Sequence, residues 1–424
     1  MNVLMIAPSL NPDLLRTPRQ MGLGLILAAR EMPPGADMVD VHLPVDEFDE
    51  DAVLKTVRNF LARGGTVDAV ACFHEGCLHV AARVAAELGL PGNSAEAVRA
   101  MRDKHLCGVL LEQHGVPGPR TRLATDLDGL RRQAAEIGYP VVVKPQSSAM
   151  SQGVMKVDNE EGLAAAFQVV QRVYEAPGFQ DGPYSVGNIG RIYIHPDMRG
   201  MVVQEYLTGP EVAVDLVYGA GVYAPLAIHD KPLPFRNHFI EGTYVTPSSL
   251  PEPVQRQVVD VAIAALTALD ATVGAAHVEL RVTAEGPKII EVNGRLGGTS
   301  AFVQESIRES VGVWGPAEYL QVVLGGPPSP AHAHPPRPAG FTPLLAERSG
   351  EIAGFHGAAE AAGIPGVRAI RWMNKPGDHV VIAYPANPIS CFALVLSTGE
   401  TREDVLRALA IAGETLHPLY ADQV

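Results

Sequence analysis

Along the first hundred residues, short unbroken apolar runs alternate with amphipathic stretches. The runs "NVLMIA" (2–7), "DMVDVHL" (37–43) and "VDAVACF" (67–73) have the length and β-branched content of buried strands. The stretches "PRQMGLGLILAARE" (18–31), "DEDAVLKTVRNFLARG" (49–64) and "CLHVAARVAAELG" (77–89) read as helices. Strands alternating with helices predict a parallel sheet covered on both faces. Two helices and a turn follow over 93–121, then a helix at 126–138, the strand "YPVVVKP" (139–145), a loop, the strand "VMKV" (154–157) and a helix over 160–174. Residues 176–200, rich in Gly and Pro, read as a long loop or insertion. From "GMVVQEYL" (200–207) to "FIEGTYVTP" (239–247) strand follows strand, and a helix over 251–270 leads into a hairpin. The segment 326–340 carries six prolines, between 327 and 338, and reads as a linker. The last residues, 341–424, read as a small α+β unit.

The hairpin is "HVELRVTAEGPKIIEVNGRLGG" (277–298), with "TAEG" as its turn. A three-residue loop, Ala284 to Gly286, sets Glu279 opposite Glu291 on the face that also carries His277, Asn293 and Arg295. Val278, Leu280, Val282, Ile290 and Val292 then share the core face. Like charges opposed across a strand pair stand only about 5 Å apart and repel. A divalent cation would remove the conflict, because hard cations such as Mg²⁺ are held by one or two carboxylates plus phosphate oxygens. A solvated outer sheet face is equally compatible with the hairpin alone.

Three other segments bear on that choice. Lys144 ends a nearly all-apolar strand, where an ammonium is costly unless an anion meets it. The loop behind it, 146–153, is made of small and hydroxyl-bearing residues, among them Ser147, Ser151 and Gly153. Those suit a phosphate cover or a plain surface turn. In "VVQEYLTGPEVAVDLVY" a strand reaches Gln204 and breaks at 208–210, and Glu211 leads the next strand. Such a break exposes backbone hydrogen-bonding groups to a purine edge, or is a simple edge kink.

Taken in order, "RDKHLCGVLLEQHGVPGPRT", "YPVVVKP", "VVQEYLTGPEVAVD" and "HVELRVT…KIIEVNGRLGG" resemble the ATP-grasp superfamily, in particular its carboxylate–amine ligases of the L-amino acid ligase (dipeptide synthase) type. The resemblance covers nearly the whole chain. It implies a mixed α/β and α+β architecture. An N-terminal parallel α/β domain spans 1–100, two ATP-clamping subdomains span 101–205 and 206–325, and a C-terminal lid-like unit follows the linker. It places Lys104 and Lys144 on ATP phosphates under the loop of Ser147, Ser151 and Gly153. Gln204 and the backbones of Glu205 and Leu207 fall on the adenine, and Glu211 on the ribose. It makes Glu279, Glu291 and Asn293 ligands of Mg²⁺ (or Mn²⁺), and Arg295 the arginine that holds an acyl phosphate.

Substrate contacts fall on Glu75, on Lys231, Arg236, His238 and Glu241 in "HDKPLPFRNHFIEGTYVTP", and on Gly297. Two departures from the pattern stand out: the covering loop has a single glycine, and Gln204 stands where many relatives have glutamate. The implied reaction couples a small-molecule carboxylate to an amine through an acyl phosphate, with ADP and phosphate released. Delivery to a carrier thiol or to another amine is an alternative, as is an ATP-binding module without turnover. A homodimer is a family-level expectation.

Charge and composition narrow the field further. With 33 Lys and Arg against 47 Asp and Glu, the formal net charge of −14 disfavours nonspecific nucleic-acid binding. No apolar run approaches the roughly 20 residues of a membrane span, and "MNVLMIAPSLNPD" reads as a first strand rather than a signal peptide. The loop after that strand lacks the glycine pattern of a dinucleotide site. Cys72, Cys77, Cys107 and Cys391 have no metal-type spacing, which fits reduced, buried thiols in a cytoplasmic protein.

Overall fold

The computed structural model describes residues 1–424 except 9–10, 34, 149–150, 176–183, 186–190, 193–196, 234–238, 240–241, 299–301, 383–389 and 424. The N-terminal sheet is parallel, in the order Val41–Pro44, Gly24–Ala29, Asn2–Ile6, Ala69–Ala71. Helices Glu50–Ala62 and Leu78–Leu88 pack on it through Val53, Val57, Val80 and Val84. The helix expected over 18–31 is not there. A helix spans Pro12–Gln20 and the strand Gly24–Ala29 follows it. Gly22, at φ 72°, turns the chain out of the helix. The run "LILAA" beyond it is buried on both sides, as a strand inside a doubly covered sheet must be.

A second, antiparallel sheet has the order Thr121–Ala124, Met201–Glu205, Val141–Pro145, Met155–Val157. Helices Leu127–Ile137 and Leu163–Glu175 cover one face, sharing a core of Leu130, Val141, Val143, Leu163, Val170 and Val203. The other face is left for the cleft.

The third sheet is eight-stranded: Gly286–Asn293, Gly274–Thr283, Glu211–Gly219, Val222–Leu233, Thr243–Thr246, Ala339–Leu345, Cys391–Thr398, Val367–Trp372. Strands from beyond the Pro-rich segment therefore continue the sheet that carries the hairpin, through the pairing of Tyr244 with Phe341. Helix Glu252–Ala268 packs beneath the hairpin through Val258, Ala262, Ala265 and Leu266. Arg371 ties the units together. It reaches Asp13 of the N-terminal helix at 3.2 Å and Glu305 of helix Phe302–Val311 at 2.8 Å.

The hairpin turn is shorter than the sequence reading assumed. Thr283 pairs with Gly286, so the loop holds two residues, and pairing runs back in that register to Leu280 opposite Ile289. An uninterrupted hairpin of this kind would set Glu279 against Ile290 and send Glu291 to the core side. A bulge between Glu279 and Leu280 absorbs one residue of the partner strand and restores Glu279 opposite Glu291, and His277 opposite Asn293. In consequence Ile289 (1% exposed), not Ile290, enters the core, while Ile290 faces the cleft.

Candidate active site

A cavity of about 260 Å³ lies between the second and third sheets. Lys104, Lys144, Gln204, Glu211, Glu279, Glu291, Asn293, Arg295, Lys231 and Glu75 all line it, with Ser151, Glu205 and Leu207. Ser147, Gly153 and Gly297 do not line it, and Ser148 takes the place expected of Ser147. Ser147 is buried, and a side chain on Gly153 would press on Pro145 and Val173, so both support the loop from behind. Arg236, His238 and Glu241 lie outside the described residues.

Local sequence explains how each group reaches the cleft. Asp103 caps helix Lys104–Gln113, accepting from the backbone N–H groups of His105 and Leu106. Its other oxygen accepts from Gln146 Nε2 at 2.8 Å, and Lys104 N–H donates to the Gln146 carbonyl. The helix start is thereby fastened to the end of the Lys144 strand. Lys104 Nζ then donates to the Ser148 carbonyl at 3.0 Å and meets Glu291 Oε1 at 2.9 Å. Gln204 donates its amide to Thr121 Oγ1 at 3.0 Å, leaving the amide oxygen as an acceptor. Ser151 Oγ donates to the Phe239 carbonyl, which joins the covering loop to the segment after strand Val222–Leu233.

The electrostatics follow from these pairings. Burial opposes the charge on Glu279, yet Lys231 at 3.4 Å and His277 at 3.7 Å hold its carboxyl far below the usual range. Burial likewise opposes charge on Lys104, and Glu291 and Glu75 outweigh it, so its pKa rises. Glu75 meets Arg295 at 3.2 Å; burial works against its ionisation, but Arg295 and Lys104 keep its pKa below the ordinary value. Glu211 is gripped by Lys231 at 2.6 Å and Arg281 at 2.9 Å. Lys144 differs from the rest. Among the described residues no carboxylate stands within ion-pair distance of it, and burial lowers its pKa to about 8 against the weaker pull of Glu291.

Behind the hairpin face lies a network that sequence reasoning did not assign. Asp215, fully buried, accepts from His277 Nδ1 at 2.8 Å, from Gly297 N–H at 2.7 Å and from Gln304 Nε2 at 2.9 Å, with His229 Nε2 3.3 Å away. Burial alone would raise its pKa; His277 and His229 drive it far down instead. His277 in turn is raised to about 9 by Asp215, against burial. His277 thus links a buried carboxylate to Glu279, and Asp215 also anchors the backbone just past Arg295. The available signal was a lone Asp inside the apolar run "VAVDLVY".

Two carboxylates and an amide oxygen on one hairpin face suit a hard cation that keeps phosphate and water ligands. Among the described residues no group of three His, Cys, Asp or Glu is arranged to hold a metal without such help. The lysines now on Glu279 and Glu291 supply the positive charge this pair requires, and both line the same cavity. The donor set fits Mg²⁺ escorted by a nucleotide. The cysteines are free and buried, as expected, and among the described residues no helix is long and apolar enough to cross a membrane.

This combination of fold and cleft is that of a nucleotide-clamping enzyme. The family model for the ATP-grasp domain matches residues 137–302 and that for the ATP-grasp N-terminal domain matches 16–92, and the chain belongs to the ATP-grasp superfamily. Among curated relatives, human carnosine synthase 1 is 28% identical over 284 residues, which is 64% of this chain and 33% of that protein. Alanine–anticapsin ligase of Bacillus subtilis is 28% identical over 244 residues, 57% of this chain and 50% of that one. The chain thus spans half or less of the length of these two proteins. The crystal structure of an L-amino acid ligase from Bacillus licheniformis superposes with a TM-score of 0.79 over 99% of this chain and 98% of that one, at 23% identity, a likeness of fold.

Proposed function

We propose that this protein is an ATP-dependent, ADP-forming carbon–nitrogen ligase that activates an amino-acid carboxylate and couples it to an amine, with a second amino acid as the amine donor. The observation that carries the reading is the opposition of Glu279 and Glu291 across the hairpin, in one cavity with Lys104, Lys144 and Arg295. In this reading Gln204 and the backbones of Glu205 and Leu207 receive adenine, Glu211 receives ribose, and Lys104 and Lys144 receive phosphates. Glu279, Glu291 and Asn293 would hold Mg²⁺, for which Mn²⁺ can substitute; when bound, the ion neutralises charge on the transferring phosphoryl group.

The substrate carboxylate attacks the γ-phosphorus of ATP, giving an acyl phosphate and ADP. The amine then adds to the acyl carbon, and phosphate leaves. Phosphoryl transfer asks for positioning and charge compensation more than for covalent chemistry. Lys144 suits the first task, being a buried cation with no carboxylate at ion-pair distance among the described residues. Arg295 suits the second, since its guanidinium donates to Glu75 and lines the cleft beside the metal-type face. An ammonium substrate would find its counter-charge in Glu75. The tie from Ser151 to Phe239 would keep water from the acyl phosphate.

The test is a screen of amino-acid pairs with ATP and Mg²⁺, with product masses and nucleotide products measured together. ADP and phosphate should appear only with certain pairs, each with a product lighter than the two substrates by one water. Release of AMP and pyrophosphate would contradict the acyl-phosphate route.

A further inference from the structure

The cavity has two apolar ends, and a nucleotide accounts for one. At the first end the lining includes Val142, Tyr206, Leu207 and Ile290, with Gln204 and Glu205 beside them. Apolar faces with hydrogen-bonding edges suit a purine. The second end is walled by Val303, Phe341, Leu345, Met373, Cys391 and Leu394. These come from helix Phe302–Val311, strand Ala339–Leu345, the turn after strand Val367–Trp372 and strand Cys391–Thr398. All six lie beyond both matched domain models, and all but Val303 follow the Pro-rich segment.

Among the described residues this end offers a ligand no charged group. Its one polar hydrogen, on Cys391 Sγ, is already directed to the Ala393 carbonyl at 3.1 Å. Its mouth is different. Tyr244 stacks on Phe341 with centroids 4.9 Å apart, and Lys231 Nζ stands 5.2 Å above the Tyr244 ring. Arg295 and Gly298 line the same cavity, with Glu75 paired to Arg295. The chamber therefore joins charged groups, where carboxylate and ammonium are handled, to an interior that rewards only apolar burial.

We propose that this chamber selects a substrate amino acid with a large aliphatic or aromatic side chain, seated between Tyr244–Phe341 and the wall of Leu345, Met373 and Leu394. The proposal rests on the ligase reading and names its substrate class. A second nucleotide is disfavoured, since among the described residues this end has no polar edge to read a base. A polar or charged side chain would lose its water there with nothing in exchange.

Met373 and Leu345 are each only half-buried and line the chamber, which makes them the positions at which to narrow it. Met373→Trp and Leu345→Trp, checked for native folding by circular dichroism, are compared with the parent protein in two assays. In the first, calorimetry with ADP and Mg²⁺ present measures binding of L-leucine, L-methionine and L-phenylalanine against L-alanine, L-serine and L-aspartate. In the second, kcat/KM is measured for ligation of the same amino acids, and hydroxylamine trapping shows which of them are activated alone.

The parent should favour the apolar three by on the order of ten- to a hundredfold, the range a hydrophobic pocket can supply. Either tryptophan should erase that preference, the apolar three losing more than alanine does. A hydroxamate from a single apolar amino acid assigns the chamber to the carboxylate donor; coupling without one assigns it to the amine donor. Ligation of small or polar amino acids with no apolar preference would overturn the chamber assignment and leave the ligase reading standing. Apolar binding that both variants abolish, with no ADP formed from any pair, would uphold the chamber and overturn the ligase reading.

Discussion

The two sheets that face each other across the cleft treat charge in opposite ways. On the hairpin side every acid already has a cation. Glu279 meets Lys231, Glu291 meets Lys104, and Glu211 meets both Lys231 and Arg281. On the opposite sheet Lys144 ends a strand that is buried throughout, with no carboxylate within ion-pair distance among the described residues. A pair that neutralises itself is stable without ligand, whereas a lone buried ammonium costs free energy that only an incoming anion recovers. In the proposed reading, the difference separates a side that would exchange its lysines for a metal ion from a side that would wait for phosphate.

The largest effect that would break this comparison comes from the hairpin. Glu291→Gln removes one carboxylate of the opposed pair and should lower ligation turnover by about a thousandfold. That corresponds to losing roughly 4 kcal/mol of charge stabilisation in the transition state. The strand should persist, because Glu291 lies on the cleft face and the core is made by Ile289 and Val292. Normal turnover with an unchanged circular dichroism spectrum would remove this residue from the metal face.

A smaller, pH-dependent effect sharpens the Lys144 side. In the free protein burial holds its pKa near 8, so the ammonium is half deprotonated at that pH and loses the rest of its charge as pH rises. Bound phosphate returns the group toward its ordinary value, and nucleotide affinity should fall with rising pH, by up to about tenfold per pH unit above 8. Lys144→Arg keeps its charge across this range and should flatten that part of the profile, as measured by ADP titrations from pH 7 to 9.5. His277, raised to about 9, also titrates in this window and is present in both proteins. A profile identical in parent and variant would mean that Lys144 meets no phosphate.

How much of this was legible in the sequence follows from the range over which each signal acts. The alternation "HVELRVT…KIIEVNGR" was enough to oppose Glu279 and Glu291, because period-two patterning is local. It was right about the pair and wrong about the turn: two errors of one residue, a shorter loop and an unforeseen bulge, cancelled. The lysine at the end of "PVVVK" was legible because a charge closing an unbroken apolar run is also a local signal.

The Asp215–His277 link was not, since it joins residues 62 positions apart on neighbouring strands. The apolar chamber was less visible still, because Tyr244 and Phe341 become neighbours only when the sheet continues past the Pro-rich segment. The misread helix at 18–31 shows the limit of periodicity itself. "GLILAA" is apolar on every face, and such a run fits a buried helix or a buried strand until its neighbours are known.

The most direct test of the central claim is Mn²⁺ binding followed by electron paramagnetic resonance in the presence of ADP, comparing the parent with Glu279→Gln. Fixed by Lys231 and by His277 from behind, Glu279 should be preorganised to take the ion, and its loss should weaken Mn²⁺ binding by on the order of ten- to a hundredfold, as is typical when a metal site is disturbed. Equal Mn²⁺ affinity in the two proteins, with ADP bound in both, would show that the ion sits elsewhere and would contradict the account.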